Sequence, residues 1–113
     1  MALSLLGACS AVKLAYNNAP DLVYWWIDGY ADLGEAQSLQ VREDLERLHQ
    51  WHRGSELPRI AELLRRMQLL ASADARPEQV CALFAEARSR FDAVVNRAEP
   101  GAVALASSLS AAQ

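Results

Sequence analysis

Apolar residues recur at every third or fourth position along most of this chain, and no stretch alternates apolar with polar as a half-buried strand would. Val41, Leu45, Leu48 and His52 follow a 4-3-4 spacing, and Val80, Phe84, Ala87, Phe91, Val94 and Ala98 sustain a heptad-like face. Only a helix brings such positions to one side. The pattern predicts an all-α protein, a small antiparallel helical bundle. A chain of 113 residues is one domain's worth. It buries about two thirds of its unfolded surface, enough for a core without staples. With 52% hydrophobic and 22% charged residues it falls outside the disordered class. Eleven Lys+Arg against 14 Asp+Glu give a formal charge of −3, which leaves no basic footprint for nucleic acid.

Punctuation divides the pattern. Residues 10–18 read as a short helix or an extended tether, broken by Asn17-Asn18 and Pro20. A second segment, Asp21–Tyr30, has Asn18 as its expected N-cap and Pro20 in its first turn. Leu22, Trp26 and Tyr30 share one stripe, with Val23 and Ile27 beside it. Apart from Asp28 this helix is apolar nearly all round, which predicts burial from several sides. Glu35–Arg53 is the clearest amphipathic helix, with Arg42–Glu46 and Glu43–Arg47 as i,i+4 pairs. Leu57, Ile60, Leu64, Met67 and Ala71 form a second stripe, out of phase with the first, and Gly54 and Pro58 at the phase break predict a kink. After the polar connection Ser72–Arg76, Pro77 opens a further helix that Glu99-Pro100-Gly101 is expected to end. The expected core is Leu45, Leu48, Leu64, Met67, Phe84 and Phe91.

The first residues carry a targeting signal. Met1–Val12 is an apolar run too short to span a bilayer and without a basic leader. Within it, Leu6-Gly7-Ala8-Cys9 has the layout of a lipobox: an aliphatic residue, two small ones, then the cysteine whose thiol receives a diacylglycerol. The other reading is that Cys9 is an ordinary apolar residue of a helix. Beyond it come Val12-Lys13-Leu14-Ala15-Tyr16-Asn17-Asn18-Ala19, then Trp25-Trp26-Ile27-Asp28-Gly29-Tyr30, and later Trp51-His52-Arg53 and Glu56-Leu57-Pro58-Arg59. In these motifs the chain resembles a family of uncharacterised helical lipoproteins of Gram-negative bacteria, closely over residues 5–70 and loosely beyond. The resemblance implies a leader remnant at residues 1–8, a lipidated Cys9 with a tether to residue 20, and a helical domain over 21–113 that is incomplete at its C-terminus. It implies a membrane-anchored envelope protein, and no activity comes with it. Ser10 in place of an aspartate after the cysteine is similar to outer-membrane lipoproteins, which face the periplasm. An envelope protein is the expected partner, and the oligomeric state is left open.

A short pattern recurs three times: Leu33-Gly34-Glu35-Ala36-Gln37, Ala75-Arg76-Pro77-Glu78-Gln79 and Leu109-Ser110-Ala111-Ala112-Gln113. Each places glutamine three residues after a candidate cap, where its side chain reaches back to the cap's N–H. Capping accounts for the spacing by itself. The layout also resembles the L-T-x-x-Q signature of small periplasmic stress chaperones, which implies an alternative role as a binder of unfolded envelope proteins.

Candidate chemistry is sparse. His49, His52 and Glu56, at i, i+3 and i+7, share one side of a continuous helix and are the candidates for a divalent metal, as in zinc sites. Against this, His52 continues the apolar stripe, Gly54 and Pro58 rotate Glu56 away, and no fourth ligand is evident. Cys81, beside a stripe, reads as a small buried hydrophobe, or as the half of a disulfide to another chain. Tyr24, Trp25, Trp26 and Tyr30 suit either the membrane–water boundary or a helical core. Asp28 and Asp32 are i,i+4 carboxylates without a partner base. There is no phosphate loop, nucleophile elbow or zinc-finger spacing. No enzyme and no cofactor is expected; the role is that of a structural or interaction module.

Overall fold

The computed structural model describes the backbone of residues 2–113 and the side chains from residue 7 onward. Met1 and the side chain of Leu6, the aliphatic residue of the lipobox layout, lie outside the described set. The fold is all-α: α1 (Ala2–Asn17), α2 (Ala19–Ala31), α3 (Glu35–Trp51), a π-helical turn (His52–Glu56), α4 (Leu57–Ala71) and α5 (Pro77–Ser108). The described residues form two compact units, one of residues up to His49 with Leu105–Gln113, the other Gln50–Ala104.

In the first unit the α1–α2 break falls where the asparagines and Pro20 place it. Asn18 occupies the cap position, but its side chain does not cap α2. It turns back instead, its Nδ2 donating to the Leu14 carbonyl at 2.8 Å. Helix α2 ends on Asp32, which takes a left-handed φ of 47°, a conformation aspartate tolerates. The Leu33 N–H donates to Asp28 Oδ1 at 2.9 Å and closes that turn. Helix α3 runs antiparallel to α2, and the buried apolar residues between them are Tyr24 and Val41. Arg42, expected to pair along its own helix, reaches across to Asp21 at 3.5 Å and stacks over the Tyr24 ring at 3.7 Å. Arg47 pairs with Asp44 rather than with Glu43.

In the second unit the expected kink is a π-turn. A π-turn fits one extra residue into a helical turn and so shifts the phase of the stripe that follows. Helices α4 and α5 form an antiparallel hairpin, tied by Arg66–Glu86 and by Glu56–Arg90. The inward stripe is Glu56, Ile60, Leu63 and Leu70 against Leu83, Glu86 and Arg90. That is one position away from the expected one. Leu63 is buried where Leu64 and Met67 were expected, and Leu64, Met67, Phe84 and Phe91 are all exposed, Phe84 at 75%. Leu45 and Leu48 are half-buried. A hairpin has only one covered face, and the Glu56–Arg90 and Arg66–Glu86 pairs claim it. Helix α5 also runs through Pro100 to Ser108. The proline removes one hydrogen bond, to Asn96, and the alanine-rich segment after it carries the helix on.

Candidate functional site

The aromatic block of α2 is split by the fold. Tyr24 points inward at 8% exposure, and its hydroxyl donates to Ser38 Oγ at 2.9 Å. Trp25, Trp26 and Tyr30 point outward at 61%, 67% and 79%. The expectation of burial from several sides therefore fails: α3 covers one side of α2. The Trp26 and Tyr30 rings lie 5.2 Å apart, edge to face. At 100° per residue, Trp25, Gly29, Leu22, Trp26, Tyr30 and Val23 fill an outward arc of about 160°. None of them is charged. Cys9 is an exposed free thiol on α1.

The metal candidates are held by other partners. His49 Nε2 meets the Tyr16 carbonyl at 2.9 Å, with the two rings 4.8 Å apart. Glu56 is 2% exposed, and Arg90 Nη1 donates to both its oxygens at 3.0 and 3.1 Å, with Arg59 at 3.7 Å. His52 stacks edge-on against Trp51, over whose ring Arg97 lies at 5.3 Å. No group of three His, Cys, Asp or Glu side chains among the described residues is placed to hold a metal ion. Asp28 serves the end of α2, as above. Cys81, expected to be buried, is an exposed free thiol, because the outward rotation of the stripe carries it out as well.

Alternating charges run along the α4–α5 hairpin. The Arg65 guanidinium hydrogen-bonds Glu62, with Nε at 3.0 Å, and Arg66 bonds Glu86. Each hydrogen bond holds its carboxyl below the usual carboxylate range, with the nearby arginine charges adding to it and burial opposing it.

All three glutamines bond back as their spacing predicts, Gln37 and Gln79 at the starts of α3 and α5 and Gln113 in a turn that opens no helix among the described residues. The N–H groups of Gly34, Arg76 and Ser110 donate to Oε1 of Gln37, Gln79 and Gln113 at 2.9, 3.0 and 2.9 Å. Two of the three also pair with each other, which the spacing alone did not predict. Gln37 Nε2 donates to Gln113 Oε1 at 3.3 Å, and Gln113 Nε2 to Gln37 Oε1 at 2.8 Å. Each amide further donates to the carbonyl two residues before the other's cap: Gln37 to Ser108 and Gln113 to Asp32, both at 3.0 Å. The pair is a pseudo-two-fold. Threefold recurrence of the pattern was the one signal that pointed to it.

Residues 29–113 match the family of unknown function DUF6279, and the chain belongs to that family. No curated protein and no solved structure matches it. The matched span opens after Cys9, Trp25 and Trp26.

Proposed function

We propose that this member of DUF6279 is a membrane-anchored lipoprotein of the bacterial envelope, acylated on Cys9, whose helices act as a non-enzymatic structural or interaction module facing the periplasm from the outer membrane. The observation that carries the reading is the outward, charge-free aromatic arc of α2, on the helix that follows the exposed Cys9. Trp and Tyr rings, with an apolar body and a polar edge, favour the level of the lipid headgroups. Two acyl chains give stable anchoring where one binds only marginally. The arc then lays the module against the leaflet that holds the lipid. No helix among the described residues is long and apolar enough to cross a membrane.

The test is an intact mass on protein expressed from its native locus with upstream codons included and extracted from membranes. The expected result is a mature chain beginning at Cys9 and carrying acyl mass. A Cys9→Ser chain is expected to lose that mass yet still float partly with anionic vesicles, and to stop floating when Trp25, Trp26 and Tyr30 are serine. An unmodified chain beginning at Met1 in the soluble fraction overturns the anchor.

A second reading, a binder of unfolded envelope proteins, draws on the exposed apolar residues Leu64, Met67, Val80, Phe84 and Phe91 of the α4–α5 hairpin, since monomeric proteins rarely leave a large apolar patch open.

A further inference from the structure

We propose that residues 74–79 are a self-pairing module through which two copies of this chain associate about a two-fold axis. The chemistry is visible where the same pattern meets itself within the chain. In each copy the glutamine Oε1 accepts the cap's N–H, and its Nε2 carries two protons for a partner. At residues 32–37 and 108–113 those protons go to the other glutamine's Oε1 and to the carbonyl two residues before the other cap. Donors and acceptors are the same on both sides, so the module is complementary to itself.

The third copy has the first half of this arrangement and lacks the second. Gln79 Oε1 holds the Arg76 N–H, and its Nε2 has no partner among the described residues. The equivalent acceptors on a second copy are Gln79 Oε1 and the carbonyl of Asp74. Of the module, Ala75 lines an apolar groove of about 270 Å³ with Met67, Leu70, Val80, Leu83 and Phe84, while Gln79 lines the neighbouring groove of about 430 Å³ beside Leu69, Ala73 and Glu86. The hairpin has turned its arginine–glutamate pairs inward and left Met67, Val80 and Phe84 open, the reverse of the usual economy of a helix pair. An isologous contact places the same patch on both subunits, so a two-fold through the module brings one apolar groove against the other while the glutamines pair. A lipid surface offers no amide to match Gln79. An unfolded client offers apolar side chains but no matching cap, and competes for the same groove. The contact needs no lipid anchor.

The test is sedimentation equilibrium of the full 113-residue chain, without acylation and under reducing conditions, from about 1 to 200 μM. The expected result is a monomer–dimer equilibrium in the micromolar range. Gln79→Ala is expected to weaken it about tenfold, with loss of the Arg76 cap, and Phe84→Ser, whose side chain is exposed, to abolish it with unchanged far-UV circular dichroism. Gln37→Ala, which acts on the pairing within the chain, is expected to leave the dimer intact. A short bis-maleimide is expected to join Cys81 to Cys81 in a Cys9→Ser chain, two residues from the paired glutamines. A monomer throughout the range overturns the proposal. So does a dimer indifferent to Gln79→Ala, whichever apolar residues it needs.

Discussion

Pro20 has no N–H to offer the Tyr16 carbonyl four residues before it, and that carbonyl meets His49 Nε2 at 2.9 Å. A carbonyl only accepts, so the proton on this edge of the imidazole is on Nε2, and His49 completes the break between α1 and α2. Glu56 is the other residue whose part in the molecule differs from its look in the sequence. Its carboxylate is buried and held by the Arg90 guanidinium. Arg90→Met leaves that charge with only Arg59, at 3.7 Å, and is expected to cost about 3 kcal/mol in urea unfolding. Adding Glu56→Leu to it is expected to recover most of the loss, since an apolar pair of similar volume needs no ion. If Arg90→Met unfolds at the wild-type midpoint, the pair is decorative. Sequence spacing put Glu56 beside two histidines on a helix face; it carried no information about an arginine 34 positions away.

Most helix starts followed local chemistry, while the expected end at Glu99–Gly101 and the helix faces did not. The three cap-and-glutamine patterns, the Pro20 break and the Pro77 start all depend on neighbours within four residues, and all formed. The inward faces of α4 and α5 depend on what covers them. Leu63-Leu64 and Leu69-Leu70 offer two adjacent faces apiece. With α5 opposite α4, the face that carries the Glu56–Arg90 pair went inside. That choice has an acid signature. The carboxyl of Glu86 is held below its ordinary 4.5 by Arg66 across the hairpin and that of Glu62 by Arg65 within α4, so the first pair stabilises the hairpin and the second its helix above that pH, and both contributions are lost as pH falls through the lowered values. Helicity is expected to decline as pH falls below the ordinary 4.5 and through the lowered values, as the carboxylates take up protons. Glu86→Gln is expected to flatten the decline while lowering stability at neutral pH. An unchanged acid profile for Glu86→Gln, followed by circular dichroism, means that the pair does not govern the acid response.

At the scale of the whole molecule, two apolar surfaces are open: the aromatic arc of α2 and the groove beside residues 74–79. The first is read as facing lipid and the second as facing another copy. If the groove also takes unfolded clients, they compete with the dimer. Gln79→Ala, by freeing the groove, is then expected to suppress aggregation of a reduced test protein at lower concentration than the parent chain. Suppression by neither chain disposes of the binder reading and leaves the dimer standing.

The sequence by itself determined the fold class, the break at Pro20, the start at Pro77 and the glutamine caps, because each is settled by backbone chemistry within a turn or two. It raised the aromatic block and the threefold pattern as features without saying what they meet. Tertiary structure alone decided that Tyr24 turns in while Trp25, Trp26 and Tyr30 turn out, that Glu56 is an ion-pair partner held by Arg90, and that Gln37 finds Gln113. Those outcomes rest on contacts between positions distant in the chain, where the free energy of a face depends on the surface that covers it and not on the residues that compose it.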